Sequence, residues 1–196
     1  MTELSKNRIS SVKWELKPLV RQFYAATVEL ANDIHGAGYL TEDLLAVMVS
    51  QGATQMANAS CVAIVGEQVV AYRLSFLAGK WLPDEWCTQE QWPVPASNMA
   101  YFKSVAVSPT LQGLGIGQAL LQHSIGVLRQ QGATAGLAHL WRESPNNSAV
   151  RYFTKAGGEL IKIHENRWQH LSAQGYACPR CHSLCCCSAA EMVLRF

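Results

Sequence analysis

The amino-acid sequence predicts an α/β (α+β) fold. Three patterns indicate it: two helices and a β-hairpin over residues 18–77, a strand, glycine-rich turn and helix over 99–128, and a final strand pair at 159–169 and 189–196. The chain of 196 residues is 49% apolar and 15% charged. This length and composition suit one globular domain spanning 1–196, rather than a disordered chain.

The N-terminal elements are predicted from helix-boundary signals. After a weak strand signal at 9–17, a helix is expected over 19–31, starting near Pro18 because proline suits a first turn. The glycines of the 36–38 turn end that helix. Thr41 is the expected N-cap of the next helix, since its hydroxyl can accept a hydrogen bond from the first turn.

The remaining elements follow from apolar runs separated by turn residues. Residues 60–65 and 68–77 predict a β-hairpin around a short polar turn. Further along, 134–141 predicts a strand and 146–156 a short helix that ends at two glycines.

The centre of the sequence is a strand, a glycine-rich turn and a helix. Residues 99–107 carry the β-branched and aromatic residues of a strand, which Pro109 ends. Gly113, Gly115 and Gly117 follow, and apolar residues then recur at helical spacing. Because glycine leaves no Cβ between backbone and ligand, the N–H groups of such a turn, together with the helix dipole, form a pyrophosphate cradle. The spacing matches neither a Walker loop nor a Rossmann fingerprint.

Two motifs carry a family resemblance. Gln112-Gly113-Leu114-Gly115-Ile116-Gly117 closely resembles motif A of the GNAT superfamily of acyl-CoA-dependent N-acetyltransferases. Asn146-x-x-Ala149, followed by Tyr152-Phe153-x-x-x-Gly157, is similar to the second signature of that family. The order of helices and strands resembles that of the family over residues 18–170, and the motifs make the resemblance specific over 99–158. It implies a mixed central sheet of about six to seven strands with about four helices, splayed at the motif A strand.

The resemblance also implies the reaction. An amine of a small molecule or a protein would attack acetyl-CoA, the co-substrate, held in the gap between two parallel strands. The residues expected to contact acetyl-CoA by their main chain or side chain are Val105, Ala106, Val107, Gln112, Gly113, Leu114, Gly115, Ile116, Gly117, Asn146 and Phe153. The alternative is a module that binds acyl-CoA as a sensor or uses its cysteine-rich loop to contact a partner, without turnover.

The catalytic residues depart from the family pattern. Counted from the second signature, the usual acid, a tyrosine, falls on Phe153, which has no proton to give. Tyr152 is adjacent and is the candidate replacement, with water as the alternative. His139, Glu143 and Tyr101 are the candidate bases. Each also has a structural interpretation, as a hydrogen-bonded strand histidine, a solvated acid and a core tyrosine.

The segment 79–98 is long for a connection between strands. It contains Trp81, Trp86 and Trp92, together with prolines and acidic residues. Two interpretations stay open: a loop that its tryptophans anchor to the core, or a wall of the acceptor site, since aromatic faces and carboxylates attract cations.

Five of the seven cysteines lie within residues 178–187. Cys-x-x-Cys is a strong half-site for zinc because two thiolates at that spacing can bind one tetrahedral ion. We expect a structural zinc site, with His182 an alternative to one of the later cysteines. Free thiols are the main competing interpretation, and a haem attachment string or a redox pair fits the context poorly. The predicted ligands are Cys178, Cys181, Cys185 and Cys187.

Charge and hydropathy limit the other partners. The net charge of +2 argues against nucleic-acid binding. No apolar run approaches the length of a membrane span, and the polar N-terminus lacks the apolar core of a signal peptide, so a cytoplasmic location is the expectation. The resemblance leaves a homodimer open.

Overall fold

A computed structural model describes residues 12–196. Its centre is a seven-stranded mixed sheet in the order β1-β2-β3-β4-β5-β7-β6. The strands are β1 (Glu15–Pro18), β2 (Cys61–Val65), β3 (Gln68–Phe76), β4 (Met99–Val107), β5 (Ala135–Trp141), β6 (Glu159–His164) and β7 (Ala189–Arg195). The helices are α1 (Tyr24–His35), α2 (Glu42–Gly52), α3 (Ile116–Gln130), α4 (Ser148–Lys155) and the single-turn α5 (Gln169–Ala173). The predicted fold class is confirmed.

Helices cover both faces of the sheet. On one face, Leu45 of α2 packs with Tyr72 and Leu74 of β3. On the other face, Leu121 of α3 and Phe153 of α4 pack together with aromatic and aliphatic residues of β4, β5 and β7. The buried faces of β3 and β4 therefore contact helices on both sides, which explains their nearly continuous apolar sequence.

The predicted boundaries are correct in the middle of the chain and wrong near both ends. The hairpin, the motif A strand and the Thr41 cap are confirmed, with the Thr41 hydroxyl accepting from the Leu44 N–H at 3.2 Å. The first helix does not start near Pro18, because Pro18 is the last residue of β1 and pairs with Cys61. The strand predicted over 159–169 ends at His164.

The pairing of β4 with β5 positions the candidate site. These two strands are the parallel pair of the sheet, and only three residue pairs join them, from Met99–Ala135 to Tyr101–Leu137. Beyond Tyr101 the strands separate, as predicted for a sheet splayed at the motif A strand. A β-bulge at Lys103, which has no partner on β3, adds to the bend of β4 at this point. The result is a wedge-shaped gap between β4 and β5.

Candidate active site

A glycine-rich turn lies at the open end of the wedge. Gly113 and Gly115 have φ angles of +84° and +79°, which glycine adopts without strain. A Cβ built on either one meets nothing within 4 Å, so the space beside the backbone is open. Gly115 is the N-cap of α3 and provides no side chain to cap the helix. The first N–H groups of α3 therefore face outward, which suits the phosphates of a nucleotide cofactor.

The far half of β4 forms one wall of the wedge. Val105, Ala106 and Val107 lie beyond the residues that pair with β5, while their other edge stays paired with β3. In an antiparallel pair, alternate main-chain groups point away from the partner strand. On this half of β4 those groups face the wedge, where they can hydrogen-bond an extended ligand.

Two of the predicted bases meet at the narrow end of the wedge. The Tyr101 hydroxyl lies 3.0 Å from His139 Nδ1, so the pair joins β4 and β5 where the strands separate. His139 Nε2 lies 2.7 Å from the Trp86 carbonyl oxygen, which can only accept. Nε2 therefore carries the proton and Nδ1 accepts from Tyr101. Burial lowers the pKa of His139 to about 4, so the ring is neutral at neutral pH.

A cavity of about 160 Å³ opens beside this pair. The segment 79–98 provides much of its wall. Trp81 stacks on Tyr101 with ring centroids 4.8 Å apart. The lining residues are Gln51, Phe76, Trp81, Leu82, Asp84, Cys87, Tyr101, Lys103 and Arg167.

The charged groups of the cavity are partly neutralised. Asp84 accepts from Arg167 at 2.8 Å, and the Arg167 guanidinium lies 5.2 Å from the Trp86 ring centroid. Burial, reinforced by the positive charge of Arg167, lowers the pKa of Lys103. Burial raises the pKa of the Cys87 thiol to about 12, so this cysteine is protonated and poorly suited to act as a nucleophile.

Glu191 of β7 anchors the segment 79–98 to the sheet, and the sequence analysis missed it. This fully buried carboxylate accepts from the Thr88 N–H and the Trp92 indole, both at 2.9 Å, and lies 2.8 Å from His164 Nε2. Burial alone raises the pKa of Glu191, but these hydrogen bonds outweigh it and the net pKa falls. The available signal was an acid within the apolar run of the last strand.

The second signature lies across the wedge, on α4. The Tyr152 hydroxyl donates to the Gly117 carbonyl at 2.8 Å, which joins α4 to the first turn of α3. Phe153 points the opposite way into the core, at 1% exposure, and packs on Phe102. Its ring therefore offers no surface to a ligand in the wedge. Asn146 lies before α4 in a left-handed conformation with φ of 56°.

Glu143 lies apart from the other candidate bases. Both of its carboxylate oxygens accept from Ser188, from the N–H at 3.0 Å and from the hydroxyl at 2.7 Å. This contact joins the end of β5 to the start of β7. Glu143 is therefore a half-buried acid bound to Ser188, which differs from the solvated acid of the structural interpretation.

The four cysteines predicted as ligands come together in the connection between β6 and β7. Their sulfurs all lie within 4.8 Å of one another. The Sγ–Sγ distance is 3.8 Å for Cys178 and Cys187 and 3.6 Å for Cys181 and Cys187. Four sulfurs placed tetrahedrally at about 2.3 Å from zinc would be about 3.8 Å apart, so the arrangement fits a zinc ion. His182, the alternative ligand, is not among the four.

The profile of the acetyltransferase (GNAT) family matches residues 24–158 of this sequence. The chain therefore belongs to the GNAT family of acetyltransferases. No curated protein matches the chain in sequence. Within the described residues, the helices are too short or too polar to span a membrane.

Solved structures share the fold over nearly the whole chain. Naa50 of Arabidopsis thaliana, in complex with the bisubstrate analogue CoA-Ac-MVNAL, is 16% identical with a TM-score of 0.64, covering 94% of this chain and 100% of that one. The ribosomal-protein-S18-alanine N-acetyltransferase of Escherichia coli is 16% identical with a TM-score of 0.63, covering 93% of this chain and 94% of that one. The protein yncA of Salmonella typhimurium, solved with its cofactor acetyl-CoA, is 18% identical with a TM-score of 0.63, covering 93% of both chains.

Proposed function

We propose that this protein is an N-acetyltransferase that transfers the acetyl group of acetyl-CoA to a primary amine of a small molecule or a protein. The observation that carries the proposal is the wedge between β4 and β5, with a glycine-rich turn at its open end and Tyr101 hydrogen-bonded to His139 at its narrow end. The relatives solved with acetyl-CoA or a CoA–peptide analogue have the same fold and support this use of the wedge.

Acetyl-CoA would lie along the wedge with its pyrophosphate on the turn from Gln112 to Gly117. Its pantetheine arm would hydrogen-bond the main chain of Val105 to Val107. Because β4 runs toward the turn, the arm would extend back along β4 and place the thioester near Phe102, where the strands meet. A main-chain N–H of β4 would polarise the thioester carbonyl there.

The amine would enter through the cavity beside Tyr101. The Tyr101 hydroxyl accepts a proton from the amine as its own proton passes to His139 Nδ1, the acceptor that the Trp86 carbonyl keeps free. This proton transfer accompanies the attack of the neutral amine nitrogen on the carbonyl carbon, and the carbon–sulfur bond then breaks. This relay needs neutral His139, and burial keeps the ring neutral before the amine arrives.

The proposal is tested by acetyl-CoA consumption against a panel of peptides with free N-termini, amino acids, polyamines and aminoglycosides. Free CoA is measured by chromatography, since the protein's seven cysteines would react with a thiol dye. Turnover with one class supports the enzyme. Tight acetyl-CoA binding without turnover across the panel would favour the sensor.

Tyr101→Phe then tests the assignment of the base. We expect kcat to fall about 10²- to 10⁴-fold, as is usual when a general base is lost. Tyr72→Phe is the matched control, because its buried hydroxyl lies 2.9 Å from Ser104 Oγ on the same sheet face but does not line the cavity. An unchanged kcat in Tyr101→Phe would remove Tyr101 from the mechanism.

We further propose that the four clustered cysteines bind one structural zinc ion. Zinc would fix the connection between β6 and β7, which packs on the turn after α1. There the Ala177 N–H donates to the Ala37 carbonyl at 3.3 Å, and the Tyr176 hydroxyl donates to the His35 carbonyl. The same connection carries Arg167 of the cavity, so zinc would stabilise the acceptor side of the site.

A further inference from the structure

Arg73 of β3 is a buried cation without an anionic partner among residues 12–196. It is 2% exposed, and no described carboxylate lies within 4.0 Å of it. Nη2 donates to the Tyr152 hydroxyl at 3.0 Å, while Nε has no partner in that part of the chain. An uncompensated buried charge costs several kcal/mol. We therefore expect an anion to approach this guanidinium while the protein works.

The guanidinium lies on the face of the sheet that α3 and α4 cover, at the narrow end of the wedge. Its Cζ is 5.0 Å from the ring centroid of Phe102, the first β4 residue beyond the segment paired with β5. Tyr101, one residue earlier, packs on the opposite face. Arg73 and Tyr152 therefore lie across the sheet from the Tyr101–His139 pair, on either side of the position proposed for the thioester.

The anion that this position would meet is the sulfur of CoA. When the amine nitrogen bonds to the acetyl carbon and the carbon–sulfur bond breaks, the bonding electron pair goes to sulfur. A rotation about the Tyr152 Cζ–O bond turns its hydroxyl hydrogen from Gly117 toward the wedge, where the sulfur can take that proton. The phenolic oxygen left behind lies 3.0 Å from Arg73 Nη2 and regains a proton from solvent. The proton removed from the amine leaves through Tyr101 and His139, so protons and electrons balance.

We propose that Arg73 is a positioning residue that stabilises the negative charge shared by the leaving CoA sulfur and the Tyr152 oxygen. This inference rests on the proposed acetyl transfer and adds a residue to it. Tyr152 contacts the sulfur, and Arg73 acts through Tyr152. In the family pattern the acidic tyrosine would fall one position later, on Phe153. Here Phe153 packs in the core and Tyr152 is the residue that reaches Arg73, so the arrangement accounts for the shift by one position.

The first test uses the unmodified protein. Isothermal titration calorimetry at pH 8, in two buffers of different ionisation enthalpy, counts the protons released when a ligand binds. CoA is compared with desulfo-CoA, which lacks the sulfur. A nearby guanidinium favours the thiolate form of the CoA sulfur, so binding of CoA should release more protons than binding of desulfo-CoA. Equal proton release would overturn the role of Arg73, and failure of both ligands to bind would overturn the proposed function with it.

Two variants identify the guanidinium as the cause. Arg73→Met should abolish the extra proton release and lower kcat about a hundredfold, the usual scale for one lost electrostatic contact in a transition state, with little change in the KM for acetyl-CoA. Arg73→Lys should restore part of both. The control is Arg129→Met, which removes an exposed guanidinium lying 5.7 Å from the Phe196 ring centroid. Retention of the extra proton release in folded Arg73→Met would also overturn the proposal.

Discussion

Acidification should destabilise this protein through two histidines that stay neutral in the folded state. Burial lowers the pKa of His35 and of His139 from 6.5 to about 4. His35, at the end of α1, packs between aromatic rings, with its ring centroid 4.6 Å from that of Tyr39. His139 lies under the segment 79–98, with the Trp86 carbonyl on one nitrogen and the Tyr101 hydroxyl on the other.

The direction and the size of this change in unfolding free energy follow from proton linkage. Between pH 6.5 and 4 the unfolded chain protonates both imidazoles while the folded chain does not, so the unfolded state binds more protons and the free energy of unfolding falls as pH falls. At about 1.4 kcal/mol per pKa unit, each histidine lowers stability by about 2 kcal/mol between pH 7 and 4.5, and the pair by about 4 to 5.

Urea unfolding at pH 7.0, 5.5 and 4.5, followed by tryptophan fluorescence, measures this loss. His35→Gln and His139→Gln should each reduce the drop in unfolding free energy between pH 7 and 4.5 by about 2 kcal/mol, whatever they cost at pH 7. His170→Gln, at an exposed position of α5, is the matched control. Wild-type and variant curves that run parallel across this pH range would refute the reasoning, because carboxylates would then account for the whole loss.

Two further outcomes follow from the cysteine cluster and a buried glycine. Cys178→Ser should lower the metal content from about one zinc per chain to near zero by elemental analysis, whereas Cys186→Ser, an exposed neighbour outside the four, should keep it; metal-free, folded wild type would contradict the zinc site. Gly52→Ala should destabilise the fold by about 3 kcal/mol or more in urea, because a Cβ there would lie 2.1 Å from the Ser75 carbonyl oxygen. Gly126→Ala, with open space around the added Cβ, should stabilise α3 by about 0.5 to 1 kcal/mol, and equal effects of the two glycine variants would argue against the close contact.

Local pattern was enough to predict the middle of this fold. The hairpin, the motif A strand and the Thr41 cap depend on residues close together in sequence, so alternation, turn glycines and a capping hydroxyl identify them. The ends depend on distant partners. Pro18 belongs to a strand because it pairs with Cys61, and sequence pattern at Pro18 cannot show that contact.

The same difference holds for the candidate site. The glycine turn and the clustered cysteines were identifiable because their spacing alone states a chemical requirement. Tyr101 and His139 were among the candidates, but their contact depends on where β4 and β5 part. Glu191 and Arg73 gave no motif at all. Each owes its role to burial among groups from three or more elements.

Glycine conformation, apolar period and ligand spacing act over a few residues, so sequence pattern was enough to predict the family, the fold class and the four cysteines that cluster. Which side chains face the wedge depends on how the whole chain folds. The fold has four consequences at the site. It turned Tyr152 toward Arg73 and Phe153 into the core, paired Tyr101 with His139, and placed Glu143 on Ser188. Hydrogen bonds and burial join residues far apart in the chain, and these long-range contacts set the charge, the tautomer and the accessibility of each side chain.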